Sequence, residues 1–181
     1  MSDSARRTPL QWLKHLERVC LQHARGLPKQ QQTDETWLGI GFRLGDLQLV
    51  APLNEVAEIL VPPALSKVPR TKAWVCGIAN VRGNLMPIMD LQGYLYDQPP
   101  SLNRRSRILA VSHNDVYTGL VVDAVLGLKH FRSDEQVDEL PAGDSCVKQY
   151  MTHSFRSDDA LWGVFSMYSL AETPQFMQAA I

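Results

Sequence analysis

From Trp37 onward the apolar positions of this chain recur at every second residue. Leu38, Ile40, Phe42 and Leu44 alternate with Gly39, Gly41 and Arg43, and Leu47, Leu49 and Ala51 continue the alternation beyond Gly45-Asp46. Period two interrupted by a tight-turn pair predicts a half-buried β-hairpin. A different period precedes it. Leu13, Leu16, Cys20 and Leu27, with Trp12, Val19 and Ala24 beside them, follow helical spacing and make one apolar stripe. Thr8 as cap, Pro9 in the first turn and Gln11 at the capping-box position predict the helix start, and Gly26 and Pro28 its end. Lys29 to Glu35 is polar and aperiodic, a linker, so the sequence divides into residues 1–36 and 37–181.

Pro52-Leu53-Asn54 breaks the hairpin pattern, and Asn54 is placed to cap a short helical stretch carrying Val56, Ile59 and Leu60 before Pro62-Pro63 stops it. Glu55 and Glu58 are expected at solvated positions. Thr71 to Cys76 reads as a single helical turn closed by Gly77. In Gly77 to Leu91, Ile78, Val81, Leu85, Met86, Ile88 and Met89 outline two short strands about a Gly83-Asn84 turn. Asn80 and Arg82 are polar residues within that apolar hairpin. Pro87 lacks an amide proton, which predicts an edge strand or a bulge. Asp90 precedes the apolar run Leu91 to Tyr96 and is placed to cap a short helix.

The second half is again β-rich. Ile108 to Val111 is one apolar run and His113-Asn114-Asp115 a turn. Tyr117 to Leu126 is too apolar for a strand with one wet face and is expected to run through a core. Residues 132–145, polar with Pro141 and Gly143, read as a loop. Tyr150 to Arg156 and Leu161 to Phe165 form a last hairpin, after which Ser166 caps a helix carrying Met167, Leu170 and Ala171, limited by Pro174. Short strands at this spacing point to small barrels.

At 181 residues the chain suits one domain or two small packed ones, burying roughly 70% of its unfolded surface. A net charge of −1 gives no global attraction to nucleic acid or anionic lipid. No apolar run approaches the roughly 20 residues of a membrane span, and no h-region follows the N-terminus, so neither membrane insertion nor export is expected. Three widely spaced cysteines, Cys20, Cys76 and Cys146, fit reduced thiols in the cytoplasm.

Catalytic chemistry is not legible. His15, His23, His113, His130 and His153 show no metal-ligand spacing among themselves or with the cysteines, and no nucleophile elbow, P-loop or dinucleotide fingerprint occurs. No metal and no cofactor is expected. Cys76 has no histidine placed near it and reads as a buried or half-buried thiol. Asp123, within an apolar run, reads as a satisfied strand-end or turn residue because Gly127 bends the chain nearby. Arg104, Arg105 and Arg107 form a dense basic run, ordinarily a solvated face, more pointedly a surface for an anionic partner. A nucleic-acid-binding barrel would interleave aromatic residues with such a run, and here they are lacking.

The string from Gly77 to Leu91 resembles the signature of the CheW family of chemotaxis coupling proteins, carried by Gly77, Asn80, Arg82, Gly83, Pro87, Asp90 and Leu91. The Gly-Asp turn, Val56 to Ile59, Gly119 to Val125 and the capped terminal helix occur in the family's order, so the likeness covers about residues 37–172. Among its branches the chain is most similar to the PilI-like one, of the chemosensory system controlling type IV pili and twitching motility. The N-terminal helix with its glutamine-rich linker, Trp37 to Phe42 and Ala79 to Gly83 carry that likeness. A coupling protein of a flagellar chemotaxis pathway is the alternative.

The resemblance implies a mostly β fold of two intertwined five-stranded SH3-like barrels with short helices and a hydrophobic groove between them. It implies a cytoplasmic, non-enzymatic adaptor within membrane-associated arrays. Its partners would be the signalling tip of a methyl-accepting receptor of the PilJ kind and the regulatory domain of a CheA-type histidine kinase of the ChpA kind. Val56, Glu58, Gly77 and Arg82 match positions implicated in receptor coupling, with Glu58 and Arg82 expected to pair. Ile108 matches a strand that lines the groove and Gly119 one nearby. Asn80, Gly83, Pro87 and Asp90 are assigned to building the hairpin. Arg107 departs from the family, whose plain coupling proteins usually carry an apolar residue there.

Overall fold

The computed structural model describes residues 9–23, 36–157 and 159–179, and the chain divides into two units, Met1–Thr33 and Asp34–Ile181. In the first unit α1 spans Pro9–His23, with Leu10, Trp12, Leu13 and Leu16 exposed on it. The expectations for Gly26, Pro28 and the polar linker lie outside the described residues, as does the side chain of Cys20.

The second unit carries β1 (Thr36–Leu44), β2 (Leu47–Pro52), β3 (Glu58–Leu60), β4 (Val75–Val81), β5 (Asn84–Asp90), β6 (Arg107–His113), β7 (Val116–Val122), β8 (Ala124–Arg132), β9 (Gln136–Val137), β10 (Met151–Ser157) and β11 (Ala160–Phe165). Four short helices join them: α2 (Leu91–Tyr96), α3 (Ser145–Lys148), α4 (Met167–Ala171) and α5 (Pro174–Met177). One sheet has the order β8-β1-β2-β11-β10-β9 and the other β3-β6-β7-β5-β4. The chain begins the first sheet, leaves it for all five strands of the second, and returns to complete the first. The two-residue β9 brings the first sheet to six strands, where five were expected.

Alternation explains the core. Within the second sheet Ile108, Ala110 and Val121 join Ala79, Val81, Met86 and Ile88 in an interior cluster. Their neighbours Leu109, Val111, Leu120 and Val122 turn the other way, into a larger layer shared with Ile40, Phe42, Leu49 and Ala51 of the first sheet. The first sheet has its own interior, Val50, Phe131, Phe155, Trp162 and Val164, in which Phe131 and Phe155 stack with centroids 4.6 Å apart. Strands buried on both faces need continuous apolar runs, which is why Leu120-Val121-Val122 has no polar member. Phe42, Leu49, Ile108 and Leu109 are fully buried; each such side chain contributes about 1.5–3 kcal/mol of transfer free energy.

Several local expectations change. Val56 to Leu60 is not helical: a single 3₁₀ turn covers Leu53–Glu55, and Glu58–Leu60 pairs with β6 as a strand. The apolar residues there answer to a sheet partner some fifty positions away, which local propensity does not register. Thr71 to Cys76 contains only a tight turn, with Val75 N–H donating to the Lys72 carbonyl, and Val75, Cys76 and Gly77 belong to β4. Tyr117 to Leu126 is not one strand. It breaks at Asp123, where the chain crosses between sheets, and the Asp123 carboxylate accepts the Gly45 amide at 2.6 Å. That is the satisfied turn role expected of it. Residues 132–145 are not all loop, since β9 and a 3₁₀ turn at Ser133–Glu135 lie within them. Pro174 limits α4 but also opens α5, in which Phe176 is buried and stacks on Trp74.

Pro87 lies in neither an edge strand nor a bulge. β5 runs between β4 and β7, and pairing with β7 begins at Ile88, so no ladder bond needs the missing Pro87 amide proton. The bulge falls at Cys76, between the Val75–Met89 and Gly77–Ile88 pairs. Burial, and secondarily the negative charge of Asp90, push the Cys76 thiol up to about 12.

Glu55 is a tertiary cap. Its carboxylate accepts the amides of Met167 at 2.6 Å and Tyr168 at 3.2 Å at the start of α4, where Ser166 also caps through the Ser169 amide. Anionic oxygen there satisfies orphan donors that no helical residue reaches. Glu55→Ala is therefore expected to cost about 1–2 kcal/mol, read as a fall of roughly 2–8 °C in Tm for a domain of this size. An unchanged melting curve would remove Glu55 from the cap. Cys76, held protonated, is expected to react with iodoacetamide at pH 8 roughly a thousandfold more slowly than a free thiol; labelling at the free-thiol rate by mass spectrometry would contradict its burial.

Candidate functional site

The β4–β5 hairpin turns through Arg82 and Gly83, whose φ values of 53° and 90° are both positive, with Val81 paired to Asn84. The two-residue turn therefore sits one position earlier than Gly83-Asn84. Two positive φ values define the turn that matches strand twist, and Gly83 meets that demand without a Cβ penalty. Arg82 takes the less favourable left-handed conformation. The Asn80 carboxamide oxygen accepts the Gly83 amide at 2.8 Å and holds this geometry. Asn80 and Gly83 thus serve the hairpin, and Asp90 terminates it, capping α2 at the Gln92 amide and accepting the Ser101 amide at 2.8 Å.

So aimed, Arg82 donates from Nη2 to Glu58 Oε1 at 2.5 Å. β3 and β4 stand at opposite ends of the strand order, so this ion pair links the two edges of the five-stranded sheet. Backbone does the same nearby. Ser66 and Ile78 exchange two N–H···O=C bonds of 2.9 Å, laying the segment after β3 against β4. Gly77 makes that approach possible: its φ is 140°, and a Cβ there would lie 2.5 Å from the Ser66 carbonyl oxygen. Glu58, Gly77, Asn80 and Arg82 are thereby brought into one closure.

Ile108 and Gly119 lie behind it. Ile108 is fully buried, and a Cβ on Gly119 would fall 2.6 Å from Ile108 Cγ2 and from Ile88 Cδ1. They touch each other and the interior, and the surface only through what they support. Val56 is half-buried, packed against the layer shared by the two sheets. The outward residues near the closure are Arg82, whose side chain is 78% exposed, and the apolar Ile59, Val61 and Leu85, exposed by 40%, 69% and 72%. Leu85 pairs across the hairpin with Asn80 and shares its outward phase. By local pattern Leu85 is only a strand residue and Ile59 part of a helix, and the exposure of either has no local signal.

Among the described residues no group of three or more histidine, cysteine, aspartate or glutamate side chains could hold a metal ion. His113 meets Glu172 at 2.7 Å and stacks on Tyr168, whereas His153 meets Thr152. Burial lowers the proton affinity of His153, with Asp138 opposing. A recess of about 290 Å³ lined by Trp37, Ser133 and Phe155 brings together no nucleophile and base. Among the described residues no helix is long and apolar enough to cross a membrane.

Comparison with known proteins places this arrangement. The CheW-like domain matches residues 38–175. Protein PilI of Pseudomonas aeruginosa is 41% identical over 181 residues, 100% of both chains. The chemotaxis protein CheW of Helicobacter pylori is 34% identical over 95 residues, 52% of this chain and 58% of its own. The crystal structure of the scaffolding protein TtCheW from Thermoanaerobacter tengcongensis superposes with a TM-score of 0.65 at 22% identity, covering 77% of this chain and 94% of that one. Its likeness is one of fold. With the signature hairpin closed as described and the family domain matched across most of its length, this chain belongs to the CheW-like domain family.

Proposed function

We propose that this chain is a non-catalytic adaptor that couples a methyl-accepting receptor to a CheA-type histidine kinase in the chemosensory pathway governing type IV pili and twitching motility. A PilJ-like receptor tip and the regulatory domain of a ChpA-like kinase are the partners, met in the cytoplasm. The full-length likeness to PilI supports the pathway. What carries the coupling reading is the Glu58–Arg82 pair, two positions 24 residues apart that meet on an exposed rim beside Ile59, Val61 and Leu85. Val56, Gly77, Ile108 and Gly119 serve the same site from within, by shaping its backbone.

Magnitudes decide what the ion pair does. Exposed pairs of this kind contribute about 0–1 kcal/mol to stability, too little to hold the sheet closed alone. Its role is to fix where the Arg82 fork points, since a guanidinium bound to one carboxylate has lost much of its rotamer freedom before a partner arrives. Each partner interface would bury about 800 Å² per side or less and be modest in affinity. Assembly in an array would add strength through effective concentration, and the receptor signal would pass as a shift in kinase populations.

Calorimetry against a receptor-tip fragment and, separately, the kinase regulatory domain tests this. The wild-type chain is expected to bind both. Arg82→Ala should weaken the receptor roughly tenfold, about 1.4 kcal/mol, leave the kinase domain unaffected and keep its circular dichroism spectrum. Glu58→Ala should act in the same direction, and the double variant should be little worse than either single one, because the two residues act as a unit. A wild-type chain that binds neither partner would refute the adaptor reading.

A further inference from the structure

Arg107 opens β6 at a position where the strand's partners are apolar. Its neighbour Ile108 faces the interior of the second sheet, so Arg107 takes the phase of Leu109 and Val111, toward the layer between the sheets. It pairs with buried Val122 on one side. On the other, β3 pairs Ile59 with Leu109 and ends with Leu60 opposite Ile108, and exposed Val61 follows where the chain leaves the strand beside the start of β6. The rim of the inter-sheet layer is therefore Ile59 and Val61 with an arginine beside them.

That arginine is half-buried, and among the described residues it has no counter-ion. Nη1 donates to the carbonyls of Ser106 at 2.7 Å and Arg104 at 3.2 Å, which fixes the side chain. Among the described residues no carboxylate pairs with it, and Nε and Nη2 donate to nothing. Exposed Arg104 and Arg105 add two positive charges next to it in the chain. A guanidinium oriented by backbone carbonyls, with donors unused and apolar side chains alongside, suits a carboxylate that arrives inside an apolar segment.

We propose that Arg107 is a specificity-determining contact, selecting a receptor segment that presents an aspartate or glutamate among apolar residues seated on Ile59 and Val61. This rests on the coupling reading above. The carboxylate takes two hydrogen bonds from Nε and Nη2, and receptors with an apolar residue in its place are rejected, because they would leave the cation desolvated and unpaired. Unlike Arg82, whose fork is engaged by Glu58 of the same chain, Arg107 completes its bonding only with the partner.

The test measures binding of the receptor-tip fragment to the full chain at 50 and 300 mM NaCl, with Arg107→Lys, Arg107→Leu and Arg107→Glu, and Arg82→Ala as reference. Arg107→Leu is expected to bind roughly tenfold more weakly at low salt and to lose most of the salt dependence. Arg107→Glu should be weaker still, Arg107→Lys intermediate, and all should keep the wild-type melting temperature and kinase-domain affinity. Changing the receptor fragment's acidic residues one at a time to lysine should reveal one change that restores Arg107→Glu, an outcome that a structural role would not produce. Wild-type affinity in Arg107→Leu while Arg82→Ala is impaired would overturn the proposal and leave the adaptor reading standing. Loss confined to the kinase domain would overturn it too, as would a salt-sensitive DNA gel shift abolished by Arg107→Leu. A wild-type chain that does not bind the receptor would end both.

Discussion

Everything in the larger unit depends on one apolar layer shared by two sheets. Phe42, Leu49 and Ala51 enter it from one side and Leu109, Val111, Leu120 and Val122 from the other. Because side chains alternate along a strand, each residue committed to that layer fixes its neighbours toward an interior of the strand's own sheet. Neither sheet can slip by one residue without exchanging the two sets between interiors of different shape. The register of β6 against β3 and β7 follows from this constraint, and so does the placement of Ile59 and Arg107 at its rim.

The closure of the second sheet adds a finer control. A backbone bridge between Ser66 and Ile78 brings the edges together, and Gly77 is there because a side chain would strike a carbonyl. The Asn80 contact holds the turn, the turn aims Arg82, and Arg82 reaches Glu58. Each step is small in energy. Together they convert a mobile surface arginine into a directed group, and pre-organisation of that kind matters more for a modest interface than added area. Arg107 is directed by a different device, carbonyls of its own loop. The two arginines are thus held differently, one by a carboxylate across the sheet and one by backbone carbonyls.

Long-range satisfaction of polar groups recurs across the fold. Glu55 caps α4 from 112 residues away, and Asp123 fixes the crossover between sheets by holding the β1–β2 turn at Gly45. Phe176 returns from the C-terminal helix to stack on Trp74, which precedes β4, and Tyr94 of α2 meets both edge-on. These contacts tie the short helices to the shared layer, which is what helices of four to six residues need, since their own hydrogen bonding cannot sustain them.

Much of this was legible along the chain. The alternation in Leu38 to Ala51, the doubly buried run at Leu120 to Val122, the caps at Asp90 and Ser166 and the satisfied Asp123 are set by local spacing and by the chemistry of single side chains. The signature from Gly77 to Leu91 was enough to suggest the Glu58–Arg82 pairing through family resemblance. What sequence left open was decided by partners distant in the chain. Residues Glu58 to Leu60 became a strand because β6 was there to pair with. Pro87 tolerates an interior position because pairing with β7 starts one residue later, and Ile108 and Gly119 proved to support the rim from inside it. Glu55 read only as a solvated residue and Arg107 only as part of a basic run, since a carboxylate's distant cap and the carbonyls that orient a guanidinium exist only once three-dimensional packing has chosen their neighbours.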